Sequence, residues 1–137
     1  MAFILNSPGG LVGEANRIAS DIKKSGHLVM VLGGSKCASA CFILFAAAPT
    51  KLISPEALIG IHSVQISGEG ETEGALATTA NMARLLSAYG IPDAIVGKLV
   101  RTPASSLAVL TPQEIGTIPG ATVAHSVRFD TFTRGPS

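Results

Sequence analysis

Apolar positions in the first half of the chain fall into short blocks separated by glycine- and proline-rich breaks. Ala2 to Leu5 is apolar and is ended by Pro8-Gly9-Gly10, which predicts a short buried strand followed by a turn. Leu11, Ala15, Ile18 and Ile22 recur at spacings of four, three and four, the period of an amphipathic helix running to about Lys24. Lys23 and Lys24 in its last turn, with Gly26 just beyond, make an ordinary helix stop. His27 to Leu32 is a continuous apolar run, as expected of a parallel strand buried on both faces. Gly33-Gly34-Ser35 then loops into a second helix, about Ser39 to Ala48, apolar on all sides and therefore buried, with Pro49 as its stop. Short strands are predicted over Lys51 to Ile53 and Ala57 to His62, with Ser54-Pro55-Glu56 as the turn between them. Ser67 to Gly74 is polar and reads as a flexible surface loop. Leu76, Ala80, Ala83, Leu86 and Tyr89 mark a long helix that Gly90-Ile91-Pro92 breaks. A further helix covers Ala94 to Arg101, Thr111-Pro112-Gln113-Glu114 starts a helical turn, and Thr122 to Phe129 alternates as a last strand before a frayed tail. The order is that of an α/β domain with a mostly parallel sheet and flanking helices.

Composition narrows the class. The 137 residues are 47% apolar and 14% charged, enough for one domain over 1–137 with a substantial core and some surface buried against another subunit. A net charge of +1 with scattered acids and bases points to no nucleic-acid or anionic-membrane partner. The longest apolar run, Ala40 to Ala48, is too short to cross a bilayer, so no transmembrane segment is expected. Met1-Ala2-Phe3-Ile4-Leu5 lacks the basic start and long apolar region of an export signal. The chain begins inside a strand, so either it is a natural short form or its start lies upstream.

Three features could carry chemistry, and each has a plainer explanation. Gly9-Gly10 after a strand can expose backbone N–H groups, or it is simply a strand-to-helix turn. A phosphate loop or dinucleotide fingerprint is excluded, since the lysine of the first and the third glycine of the second are missing, and no cofactor is implied. Ser39, at the mouth of an apolar helix, is either an N-cap or a hydroxyl in a positive dipole field, with the Ala40 N–H beside it. His62 ends an apolar strand, where it is either a satisfied core residue or a group at the crevice that forms at carboxyl ends of parallel strands. His27 and His125 stand in less suggestive surroundings and are expected to be structural or exposed. Cys37 and Cys41 flank Ser39 at a spacing of four, leaving open a disulfide or two buried thiols. Two thiols with no histidine nearby in sequence are too few for a metal site.

Asn6-Ser7-Pro8-Gly9-Gly10, Ala38-Ser39-Ala40 and Ile61-His62 together resemble the three signatures of the Clp-protease proteolytic subunit superfamily, within the crotonase-like fold. The resemblance runs from Phe3 to about Ala121 and includes the Leu110-Thr111-Pro112-Gln113-Glu114 turn. Among such proteins the chain is most similar to the Clp-like proteins of bacterial envelopes, where a segment like Cys37-Ala38-Ser39-Ala40-Cys41 is found. The resemblance implies that Ser39 is the nucleophile and His62 the general base. It implies that the N–H groups of Gly10 and Ala40 form the oxyanion hole and that the helix from Leu11 packs beside them. It also implies a peptide or protein substrate, a homo-oligomer assembled through Ala75 to Arg101, and a bacterial envelope location.

Two departures stand out. The Asp that precedes the Leu-x-x-x-Glu turn by three positions in active Clp subunits falls on Leu107 here, with Ser105 and Ser106 the nearest polar groups. Loss of a third member costs several orders of magnitude in rate, unless a hydroxyl, a backbone carbonyl or an acid on another helix such as Asp93 orients the imidazole. The strand-helix units that precede the glycine motif in the family are also missing, which would leave the sheet an exposed edge. The expected function is a Clp-like serine peptidase, and the alternative is a catalytically degenerate scaffold that binds peptides or assembles with partners. A crotonase-type acyl-CoA enzyme shares the fold and the oxyanion logic but has no need of a Ser–His pair at these positions.

Overall fold

In a computed structural model of the protein, residues 2–7, 12–63, 73–103 and 105–123 are described. Their elements run β1 (Ala2–Ile4), α1 (Val12–Ser25), β2 (Leu28–Val31), β3 (Lys36–Ala38), α2 (Ala40–Ala47), β4 (Thr50–Ile53), β5 (Leu58–Ile61), α3 (Glu73–Ala88), α4 (Asp93–Arg101), β6 (Ala108–Val109), α5 (Pro112–Gly116) and β7 (Ala121–Val123). The predicted α/β class with a mostly parallel sheet and flanking helices is correct.

The strands divide between two sheets. One has the order β1-β2-β4-β7 and is parallel throughout, the other the order β3-β5-β6. In the second, β3 runs parallel to β5 and β6 antiparallel to it. Neither β3 nor β6 is predicted by the sequence pattern, in which Gly33-Gly34-Ser35 loops into the next helix. Both are too short to show a period of two. They become strands only because neighbouring backbone is available to pair with them.

Helix α2 is the centre of the molecule. Phe42, Ile43 and Phe45 have no exposed surface, and Ala40, Cys41, Ala46 and Ala47 are buried. Each large side chain so enclosed contributes about 1.5–3 kcal/mol of transfer free energy. Helix α1 meets α2 through Ala15, Ala19 and Ile22, whose small residues allow close approach. Ile18, expected on that buried face, is 45% exposed and lies instead beside Phe3 and His27 at the rim of an open groove. His27 keeps a structural place there, its ring tilted against that of Phe3 at 5.3 Å. Among the described side chains of α3 the buried ones are Thr79, Met82 and Leu86; Leu86 was predicted, while Thr79 and Met82 each lie one residue before the predicted Ala80 and Ala83. Glu73 and Gly74, assigned from sequence to a surface loop, already belong to α3, and the preceding residues 64–72 lie outside the described ones. The last strand is described only as far as Val123.

Lys51 is the unexpected core residue, only 2% exposed. Its Nζ donates to the carbonyls of Ala48, at the end of α2, and Pro119 at 2.6 and 2.9 Å, and stands 5.9 Å from the centre of the Phe45 ring. It joins the C-terminal end of α2 to the turn before β7. Gly120 is required in that turn: its φ is +78°, and a Cβ there would run into the Pro49 carbonyl.

Candidate functional site

The tail of β1, strand β3 and strand β5 lie side by side, and each carries or leads into one of the three sequence motifs. Leu5 donates its N–H to Met30 O at the end of β1. The chain then crosses to β3, where Ser7 N donates to Lys36 O at 2.7 Å and Ala38 N donates to Ser7 O at 3.0 Å. The Asn6 side chain reinforces this, its Oδ1 accepting from Lys36 N at 3.1 Å. This role for Asn6 and Ser7 was not foreseen, and no local pattern signals it. On the other side of β3, Cys37 pairs with Ile59 and Ala38 with Gly60, and Ser39 N donates to Gly60 O at 3.1 Å. The chain therefore reaches Pro8-Gly9-Gly10 directly from a residue hydrogen-bonded to the Ser39 strand, although residues 8–11, including Gly10, lie outside the described ones. His125 lies outside them as well.

Ser39 has φ 57° and ψ −121°, the one positive φ among described residues other than glycine. Its hydroxyl makes no capping hydrogen bond to the helix it precedes. The simple N-cap explanation for Ser39 therefore fails, since a capping serine takes extended backbone angles and accepts from the second or third helical N–H. A residue with a side chain held in such a region costs of the order of 1–3 kcal/mol and persists only where the surroundings over-determine it. The conformation makes a sharp strand-to-helix turn with Ser39 at its apex, and Ala40 is the first residue of α2. The first N–H groups of a helix have no acceptor inside it, and the helix dipole places partial positive charge there.

Across that turn Cys37 and Cys41 are joined in a disulfide, with Cα atoms 5.1 Å apart. This decides the alternative that the sequence left open.

His62 follows β5 directly and is half-buried. Its Nδ1 lies 2.6 Å from Ser63 O. A carbonyl can only accept, so Nδ1 carries the proton in this contact and Nε2 is left with its lone pair. Ser63 is itself fixed, because its N–H donates to Thr102 O at the end of α4. A backbone carbonyl thus orients the imidazole, one of the substitutes considered for a missing carboxylate.

Leu107, the position expected for that carboxylate, precedes β6, which pairs with the strand that leads into His62. In the β5–β6 ladder Ile61 pairs with Ala108 and Gly60 with Val109, so the pairing ends one residue before His62 and one residue after Leu107. A Cβ built on Gly60 would come within 2.7–2.9 Å of the Leu107 side chain, so Leu107 covers the face of β5 from which Gly60 lacks a side chain. Leu107 is 42% exposed. Ser105 and Ser106 are exposed, and Asp93 is exposed at the start of α4. No group of three or more metal-ligating side chains occurs among the described residues.

No family model matches the chain, and no curated protein does. Solved structures do match. ClpP1 from Listeria monocytogenes superposes with a TM-score of 0.64 at 20% identity, over 93% of this chain and 75% of that one. A point mutant of the same protein gives 0.65 at 21% identity, over 90% and 74%. The 1510-N membrane-bound stomatin-specific protease, solved as a mutant with a substrate peptide, gives 0.63 at 20% identity, over 89% of this chain and 59% of that one. The fold is ClpP-like, and proteases are among the proteins that share it.

Proposed function

We propose that residues 1–137 form one domain of a Clp-like serine peptidase in which Ser39 attacks a peptide carbonyl and His62 accepts its proton. The observation that carries this reading is the lateral order of Ser7, Ser39 and His62 on three adjacent backbone segments, with Ser39 at a strained, uncapped turn. Attack by Oγ would form the bond to the carbonyl carbon while its proton passes to His62 Nε2, left basic by the Nδ1–H to Ser63 O contact. The N–H groups of Ala40 and Gly10 would meet the developing oxyanion. Collapse of the intermediate would return the proton to the leaving amine, and water would release the acyl group by the same route. A closed Cys37–Cys41 bridge fits an oxidising location such as the bacterial envelope. Assembly into a homo-oligomer through α3 and α4 completes the proposal, and a strict monomer in sedimentation at high concentration would count against it.

The test is covalent labelling with a fluorophosphonate probe. The expected result is stoichiometric labelling that Ser39→Ala abolishes and His62→Ala slows by about two orders of magnitude or more. A folded protein that never labels, or labels equally well in His62→Ala, overturns it. That outcome would favour a second reading, a peptide-binding or assembly scaffold without activity, which the apolar Leu107 in place of the expected carboxylate supports.

A further inference from the structure

The disulfide encloses Ser39 in a five-residue ring, and its two ends belong to different elements. Cys37 is fully buried in β3, paired with Ile59 on one side and bridged to Ser7 on the other. Cys41 lies in the first turn of α2 and is 4% exposed. Between them Ser39 holds a positive φ with no help from its own side chain. Its backbone hydrogen bonds run from Ser39 N to Gly60 O and from Phe42 N to Ser39 O, and the disulfide is the covalent link across the same turn.

A serine in this position has a lower-strain alternative. With extended angles it becomes an ordinary N-cap, its hydroxyl accepting from the N–H of Cys41 or Phe42, the second and third residues of α2. That state engages the hydroxyl with the helix and removes it from any reaction. We infer that the Cys37–Cys41 disulfide is a positioning clamp that holds Ser39 in the uncapped turn, and that opening the bridge lets Ser39 relax to the cap. Reduction by a dithiol gives two protein thiols and leaves the new disulfide on the reductant, so the step is balanced and reversible. The functional consequence rests on the reading of Ser39 as nucleophile, whereas the conformational consequence does not.

The experiment compares oxidised protein, dithiothreitol-reduced protein verified by thiol count, and the Cys37→Ala/Cys41→Ala variant. It follows the Ser39 Cα and Cβ chemical shifts together with fluorophosphonate labelling. In the reduced and variant proteins the Ser39 shifts are expected to move to values of an extended N-cap. Labelling is expected to slow about tenfold or more while the rest of the spectrum stays dispersed. Unchanged Ser39 shifts overturn the clamp, and shifts that move with no fall in labelling overturn its link to the nucleophile. Loss of dispersion throughout, in both the reduced and the variant protein, overturns it too, because the bridge would then be a staple of the whole fold. Oxidised protein that does not label at all rejects the peptidase reading, and the Ser39 shifts still decide the clamp.

Discussion

At the scale of single residues, the proposed function makes position 107 a direct test of how the His62 imidazole is supported. Leu107 packs against Gly60, two residues before His62, and a carboxylate at 107 that reached the imidazole would accept the Nδ1–H that Ser63 O now accepts. Charge-assisted hydrogen bonds are roughly twice as strong as neutral ones, and a carboxylate also stabilises the imidazolium formed during attack. Leu107→Asp is therefore expected to raise the labelling rate of Ser39 about tenfold or more. Because Leu107 is 42% exposed, the loss of packing should stay near 1 kcal/mol. An unchanged rate in a folded variant would mean that the two side chains do not meet. Position 107 was singled out through the resemblance to active Clp subunits, and no pattern within this chain marks it. That Ser63 O orients His62 was not legible, since any backbone carbonyl can accept and only tertiary geometry selects one.

At the scale of elements, short pieces depend on their ends. Helix α5 has five residues, too few to persist alone, and a capping box closes its start: Glu114 N donates to Thr111 Oγ1, and Thr111 N to Glu114 Oε1. Glu114 also receives Lys98 Nζ from α4 at 2.9 Å, so one carboxylate caps one helix and ties it to another. The Thr111 N–H first, and the Lys98 ammonium after it, hold the Glu114 carboxyl below its usual range. The stability it supplies is therefore present above the ordinary glutamate pKa and is lost as pH falls through the lowered one. Thr111→Ala should cost about 1 kcal/mol in denaturant unfolding at neutral pH. Glu114→Gln should cost a similar amount near neutrality and nothing at pH values below both pKa values. Equal losses in Glu114→Gln at both pH values would rule out the charge as the cause. The start of this helix was readable because Thr-Pro-x-Glu is a local signal, whereas β3 and β6 exist through partners distant in sequence.

At the scale of the whole molecule, the buried Lys51 makes stability depend on pH. Two carbonyls and the Phe45 ring face its amine, yet burial first, and repulsion from Lys23 second, lower it to about 8 from 10.5. Between those values the unfolded chain holds a proton that the folded chain has released, so stability rises with pH across that window and is flat below it. The gain amounts to roughly 3 kcal/mol over the whole window if nothing else titrates. Tyr89, whose phenol burial raises, acts in the opposite sense above about pH 10. Chemical unfolding at pH 7.5 and 9.5 should therefore show a more stable protein at the higher pH, and Lys51→Met should remove the difference. A wild-type protein no more stable at pH 9.5 would contradict a lowered Lys51.

By itself the sequence determined the α/β class, nearly every helix, and the three motifs, because periodicity, glycine breaks and local spacing act within a few residues. The tertiary structure alone decided that the strands form two sheets, that Cys37 meets Cys41, and that Ser39 is a strained turn and not a cap. It also decided that Lys51 is buried and that Leu107 covers Gly60. The sheets depend on distant backbone supplying hydrogen-bond partners, and the bridge, the turn and the buried lysine on how β3, α2 and β4 come together, all of which is settled only when the chain packs.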